Sequence, residues 1–208
     1  LVSTYVNVIM VNGGYECLVP LQGQQIFDIA NPQAPIWVGL HDSDYGGIND
    51  VAIRGNIAYA TDGAYFQPNS LKLIDVSNPA APSLIGRALY SEGTESPTAV
   101  DIRSVSLYGD YAFVTDQNWT SGLYAVDINP ASGKFLKGYG PCPTKVGGGH
   151  SQGVFAYGGH AYVLDGDSGF TVVNISEPTL LSDASLANTL DLGSFTVENV
   201  IVSGKYAY

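Results

Sequence analysis

The pentapeptide GHSQG at residues 149–153 carries the residue types of a hydrolase nucleophile. In a working G-x-S-x-G motif, a strand enters a sharp turn and a helix leaves it, which exposes the serine oxygen beside backbone N–H donors. Here the preceding residues, GPCPTKVGGG, are typical of a loop, and the following VFAYGGHAYVLD indicates two strands. The only downstream histidine, His160, stands in a repeated phrase. The sequence therefore argues against a catalytic triad at Ser151.

A second candidate for chemistry is the segment DGDSG at residues 165–169, which opens like an oxygen-rich calcium loop. Calcium collects carboxylate and carbonyl oxygens, and a complete loop would carry a third acidic residue and a glutamate at position twelve. Gly169 stands at the third acidic position, and Ser176 stands at position twelve. Asp165 and Asp167 are the candidate ligands of a calcium ion, and no other cofactor is expected.

A repeated series of carboxylates has a structural interpretation instead. Asp28, Asp75 and Asp127 each end an apolar segment just before a Ser-Asn-Pro-like turn, and Asn174 takes their place in the last repeat. A short acceptor side chain at such a position can bind the backbone N–H groups of the turn. Because an amide can accept these bonds but cannot act as an acid or base, the series predicts turn stabilisation.

These residues belong to a phrase that returns along the chain as IFDIANPQAP, LIDVSNPAAP, AVDINPASGKF and VVNISEP. Its polar anchors are 47, 52 and 47 residues apart. A second phrase with a glycine precedes each one, at Gly13, Gly55, Gly109, Gly158 and, in a last copy, Gly204. Self-similarity at this period predicts a repeat architecture.

Each repeat predicts four short strands. In the second, NDVAIR, IAYAT, LKLIDV and SLIGRAL are separated by turn residues and lack helical periodicity. Four antiparallel strands in a meander form one blade of a β-propeller. The chain is therefore predicted to be an all-β propeller with blades at about 4–41, 47–90, 99–140 and 150–193 and part of a fifth at 196–208. Since a propeller closes by joining its last blade to its first, the natural chain is expected to continue, giving five to eight blades.

The segment from Leu73 to Pro79, with the Gly-x-x-Ala-Tyr phrase before it, resembles the LVIVD-repeat β-propellers. The resemblance recurs in register over nearly the whole chain. It implies a surface or secreted protein of bacteria or archaea and no established activity. Departures occur at Pro20, which replaces the aspartate that ends strand two in the other repeats (Asp62, Asp116 and Asp165), and at Asn129-Pro130, which comes one residue early.

Strand one is expected to be innermost, so the residues that open it should line one mouth of the central channel. Six positions before the repeat glycines stand polar residues that differ from blade to blade: Asn7, Asn49, Arg103, Gln152 and Glu198. Their neighbours Asp50, Asp101, His150 and Asn199 can contribute to the same surface. This mixture predicts a ligand-binding mouth.

The amino-acid composition limits the kinds of partner that the chain can bind. Eight basic against nineteen acidic residues give a net charge of −11, which repels phosphate backbones and excludes nucleic acid. No apolar run approaches the roughly 18 residues of a membrane helix. Asn118 and Asn174 stand in N-glycosylation sequons. The aromatic residues Tyr59, Phe113, Tyr162 and Tyr208 stand four positions after the repeat glycines and are predicted to pack between blades. Cys17 occupies the same position in the first repeat, so a buried thiol is favoured over a bridge to Cys142.

Taken together, these features predict a non-enzymatic extracellular or cell-surface module that binds a protein or glycan partner. The alternative is an extracellular hydrolase or lyase at the channel mouth, in which Arg103, His150, Glu198 and Asp101 would act. A third possibility is a subunit of a homo-oligomer, filament or larger assembly, for which large apolar contacts between chains would be the sign.

Overall fold

The computed structural model describes residues 9–12, 15–18, 24–31, 33–41, 47–63, 70–89, 101–117, 122–143, 151–165, 169–182, 185–190, 192 and 200–208. The described residues form antiparallel strands joined by turns, and a 3-10 turn covers Pro178–Leu180. Four sheets have four strands each, and a short hairpin follows them. The all-β prediction is confirmed.

Within each sheet the strands lie side by side in chain order. The first blade contains β1 (Ile9–Asn12), β2 (Tyr15–Leu18), β3 (Gln24–Asp28) and β4 (Ile36–His41). The second contains β5 (Gly47–Arg54), β6 (Ile57–Gly63), β7 (Ser70–Asp75) and β8 (Ser83–Ala88). The third contains β9 (Ile102–Tyr108), β10 (Tyr111–Asp116), β11 (Gly122–Asp127) and β12 (Gly138–Pro143). The fourth contains β13 (Gly153–Tyr157), β14 (His160–Leu164), β15 (Phe170–Asn174) and β16 (Leu186–Leu190), and the partial fifth has β17 (Val202–Ser203) and β18 (Tyr206–Ala207).

The repeated glycines form the turn between the first and second strands. Gly55, Gly109, Gly158 and Gly204 have φ values of 58°, 55°, 60° and 60°. This left-handed backbone is open to glycine and disfavours residues with a Cβ. The glycine therefore recurs because the tight hairpin requires it.

The strand-end carboxylates accept hydrogen bonds from the turn that follows, as predicted. The N–H two residues on donates to Asp28 Oδ1 at 2.8 Å, to Asp75 Oδ1 at 2.8 Å and to Asp127 Oδ1 at 3.0 Å. Asn174 Oδ1 takes the same role, because the Ser176 N–H donates to it at 2.9 Å. In the third blade, where the Asn-Pro pair comes early, the Ser132 hydroxyl also donates to Asp127 Oδ2 at 2.6 Å.

The first strands of neighbouring blades contact one another, which confirms that strand one is innermost. Asn49 on β5 donates through Nδ2 to the Ile102 carbonyl on β9 at 2.6 Å. The Ala156 N–H on β13 donates to Ser106 Oγ on β9 at 2.9 Å. These bonds join residues about fifty positions apart, so the radial order of the blades is a tertiary property.

The hydrophobic core lies between blades. Tyr59 packs with Val105 of the third blade, and Phe113 packs with Val154 of the fourth. Tyr162 packs against Val200 and Val202 at the start of the fifth. These contacts confirm the predicted packing at three of the four repeat positions.

Tyr208 stands at the fourth of these positions, at the end of the partial fifth blade. Its side chain is 77 % exposed, and its ring lies 6.4 Å from that of Tyr206. Tyr59, Phe113 and Tyr162 are covered by strands of the next blade. Cys142 is buried in the core between the third and fourth blades, whereas the side chain of Cys17 lies outside the described part.

The outermost strand of a blade packs against the turn between the third and fourth strands of the next blade. A Cβ placed on Gly39 of β4 would lie 1.9 Å from the Pro79 carbonyl oxygen, and one on Gly86 of β8 would lie 2.6 Å from Leu136 Cδ1. Both glycines stand eleven residues after the strand-end aspartate, as does Gly138. The glycine at this position lets the next blade approach closely.

Candidate functional site

Three of the predicted mouth residues surround one open depression of about 410 Å³. Asn49 lies near the start of β5, Arg103 near the start of β9, and Gln152 one residue before β13. Because these three strands run side by side and start at the same end of their blades, equivalent positions bring the side chains together. Gln117 completes the lining.

Arg103 and Asp101 form an ion pair on this surface. Arg103 Nη2 donates to Asp101 Oδ2 at 3.2 Å, and Nε lies 3.1 Å from Oδ1 without hydrogen-bonding geometry. The two side chains are 34 % and 39 % exposed. The charge of the guanidinium is thus balanced within the mouth, and no hydrogen bond within the described chain engages Nη1.

Asp50 points into the joint between the second and third blades. Its Oδ2 accepts hydrogen bonds from the Ser104 hydroxyl at 2.7 Å and from the Val105 N–H at 2.9 Å. Its Oδ1 accepts from the Val51 N–H at 2.8 Å. Burial raises the pKa of Asp50 above its usual range, and the three hydrogen bonds oppose that shift. Asp50 therefore links the two inner strands beside the mouth.

Gln117 is the lining residue that sequence reasoning missed. It directly follows Asp116 at the end of β10, and its N–H donates to the Asp101 carbonyl at 2.8 Å. The second and fourth blades have glycine after the strand-two aspartate, at Gly63 and Gly166. The replacement of a repeated glycine by a long amide was a signal that could have identified this residue.

The remaining predicted mouth residues, His150, Glu198 and Asn199, lie outside the described residues, as do Asn7, Asp167 and Asn118. The exposed Asn174 ends β15, and the Ser176 hydroxyl donates to its Oδ1 at 2.8 Å. Glycosylation at both sequons stays a prediction.

Ser151 is a buried partner of Asp165. Its hydroxyl donates to Asp165 Oδ1 at 2.7 Å, and Thr171 Oγ1 donates to Asp165 Oδ2 at 2.8 Å. The segment after Ser151 forms β13 and β14, as predicted, where a nucleophile elbow needs a helix. His160 begins β14 at the opposite end of the blade, about 20 Å along the strand. Ser151 and His160 are therefore too far apart to form a dyad.

The second blade replaces this hydroxyl network with an ion pair. Ile48 and Lys72 stand where the fourth blade has Ser151 and Thr171. Lys72 Nζ lies 2.8 Å from Asp62 Oδ2, and the two side chains are 1 % and 11 % exposed. The ammonium thus takes over the role that hydroxyl groups have around Asp165.

Among the described residues, no group of three or more His, Cys, Asp or Glu side chains is arranged to hold a metal ion. Since Asp167 is not among them, calcium binding at Asp165 and Asp167 stays a prediction. The described residues also include no helix of the length and apolarity needed to cross a bilayer.

Radial four-stranded blades with a polar depression at the inner strands define this chain as a β-propeller. The LVIVD repeat model matches residues 46–89, 100–139, 148–189 and 196–208. These segments make up more than half of the sequence, and the chain belongs to the LVIVD-repeat family. The resemblance seen in the sequence is thereby confirmed.

Solved structures support the fold. The computationally designed Ika8 protein superposes with a TM-score of 0.68 at 11 % identity, covering 97 % of this chain and 54 % of its own. The computationally designed Ika4 protein gives a TM-score of 0.57 at 11 % identity, covering 84 % of this chain and 93 % of its own. This chain thus spans about half the length of Ika8. No curated protein matches it.

Proposed function

We propose that this protein is a non-enzymatic binding or structural interaction module of the cell surface or extracellular space, and that it binds its ligand at the channel mouth. The main observation behind this proposal is that Asn49, Arg103 and Gln152 line one depression of about 410 Å³. A purely structural role would be served by identical small polar groups. Different long side chains instead offer a specific set of donors and acceptors, as ligand sites do.

The state of the charged groups favours binding over the alternative hydrolase or lyase. Catalysis of that kind needs an acid, a base and a cation directed at one substrate atom. Within the described mouth, Arg103 is paired with Asp101. Asp50 accepts a hydrogen bond from the adjacent Val51 N–H through Oδ1 and from Ser104 of the next blade through Oδ2. These groups stabilise the mouth and are not directed toward a common reacting atom.

A location outside the cell is part of the proposal. Only 13 % of the residues are charged, and two N-glycosylation sequons are present. The test of location is surface biotinylation of intact source cells. Labelling of the protein together with that of a known surface protein supports the proposal, and labelling only after lysis contradicts it.

The test of binding uses ligand-observed NMR with three defined mixtures: neutral oligosaccharides, short peptides and dicarboxylates. The matched variants are Gln152→Ala at the mouth and Gln33→Ala on an exposed turn of the first blade. We expect one mixture to bind, with affinity about tenfold weaker in Gln152→Ala and unchanged in Gln33→Ala. The proposal fails if no mixture binds or if the two variants behave alike.

A further inference from the structure

The described part of the channel mouth has groups that can form hydrogen bonds, and its charged side chains balance each other. The Arg103 guanidinium is the one cationic group lining the described depression, and Asp101 neutralises it at 3.1–3.2 Å. An anionic ligand would have to compete with this carboxylate, and a cationic ligand would meet the guanidinium. Since the whole chain carries −11, anions are repelled at longer range as well. An uncharged ligand fits these conditions best.

The groups left for a ligand are both donors and acceptors. Asn49 uses Nδ2 to bind the Ile102 carbonyl, and no described residue bonds to its Oδ1. Gln152 is exposed, and its amide forms no hydrogen bond with the described residues. Arg103 Nη1 adds donors that the ion pair with Asp101 does not use. A hydroxyl group both donates and accepts, so a row of hydroxyls matches this mixed set.

The polar lining of the depression does not suit a peptide that is anchored by its side chains. Such partners depend on aromatic or aliphatic anchors that fill apolar pockets. The depression is lined instead by Asn49, Arg103, Gln117 and Gln152, whose polar groups exchange water for ligand hydroxyls at little enthalpic cost.

We propose that the channel mouth binds a neutral saccharide chain, through Asn49, Gln152 and the outer edge of the Arg103 guanidinium. This inference rests on the proposed binding function and names its ligand class. Asp101 sets the charge selectivity: it neutralises Arg103 and holds the guanidinium in place for hydroxyl groups. Its removal should open the site to acidic sugars.

The experiment titrates the purified chain by calorimetry with four probes: maltotriose, cellotriose, triacetylchitotriose and trigalacturonate. A capped trialanine peptide is the non-saccharide control. We expect at least one neutral trisaccharide to bind more tightly than trigalacturonate, and Gln152→Ala to weaken that binding about tenfold. In Asp101→Asn, which keeps the shape but frees the guanidinium, we expect trigalacturonate affinity to rise about tenfold or more.

A glycoprotein with neutral mannose-type glycans and its deglycosylated form distinguish the two sources of the saccharide. If the free trisaccharides bind, the ligand is an unattached or polymeric glycan. If the glycoprotein binds and its deglycosylated form does not, the ligand is a glycan linked to a protein. Both outcomes support the inference. Preference for trigalacturonate or the peptide, sensitive to Gln152→Ala, overturns the inference but leaves the binding function standing. If no probe binds and the wider mixtures also fail, both are overturned.

Discussion

Lys72 is among the largest fully buried side chains of the described structure, and its only described ionic partner is Asp62. Asp62 Oδ1 has no hydrogen-bond partner among the described residues. The carboxylate therefore depends on the single contact at 2.8 Å between Nζ and Oδ2. We predict that Lys72→Met strongly destabilises the fold, because it leaves this buried charge uncompensated.

The expected cost follows from the burial of the pair. Removing one partner of a buried ion pair costs about 3–5 kcal/mol, out of a total stability of about 5–15 kcal/mol. Replacing both partners, as Lys72→Met with Asp62→Leu, should bring stability within about 1 kcal/mol of the wild type, since no buried charge remains. Lys72→Thr should lose less than Lys72→Met, because its hydroxyl can donate to Asp62 as Thr171 donates to Asp165.

The assay is urea unfolding followed by far-UV circular dichroism, with the free energy of unfolding taken by linear extrapolation. Calorimetry on the same variants tests whether unfolding is two-state. Lys134→Met, at an exposed turn lysine, is the control and should change stability by no more than about 0.5 kcal/mol. The reasoning is refuted if Lys72→Met loses less than about 1 kcal/mol, or if the double variant is as unstable as the single one.

Two further predictions test the joints between blades. Gly39→Ala should lower the free energy of unfolding by about 1–3 kcal/mol, because its Cβ would lie 1.9 Å from the Pro79 carbonyl oxygen. The control is Gly133→Ala, whose Cβ would have no atom within 4 Å. Equal losses of stability in the two variants would contradict the close approach at Gly39. Asp50 has a raised pKa in the fold, so its contribution to stability is full below the unfolded pKa of about 3.9 and is lost as the pH rises through the folded pKa. Wild type should therefore gain stability relative to Asp50→Asn as the pH falls from neutral toward about 4, and a pH-independent difference in the free energy of unfolding would contradict this.

Much of the fold was predictable because each blade is built from local signals. The turn glycine at Gly55 and the strand-end acceptor at Asp75 act on residues within a few positions of themselves. Their recurrence sets the strand order inside a blade. The positions of Asn49, Arg103 and Gln152 followed from counting back from the repeat glycine, since equivalent positions of a propeller meet around its channel.

Other features of the site were not predictable because they depend on side-chain directions across blades. Asp50 and Asp101 looked alike as neighbours of the mouth, yet Asp50 binds Ser104 in the next blade and Asp101 binds Arg103. Gln117 reaches the depression from the end of strand two, outside the series of strand-one residues. A repeat pattern specifies positions along a strand but not which partner each side chain finds.

The sequence by itself thus determined the all-β repeat, the order of strands within each blade and the turn chemistry, because these depend on residues close together in the chain. Only the tertiary structure decided the charge balance of the mouth, the exchange of a hydroxyl network for the Lys72–Asp62 ion pair in the second blade, and the close approach at Gly39. Contacts between blades join residues about fifty positions apart, and their energies depend on burial and geometry that only the packed blades create.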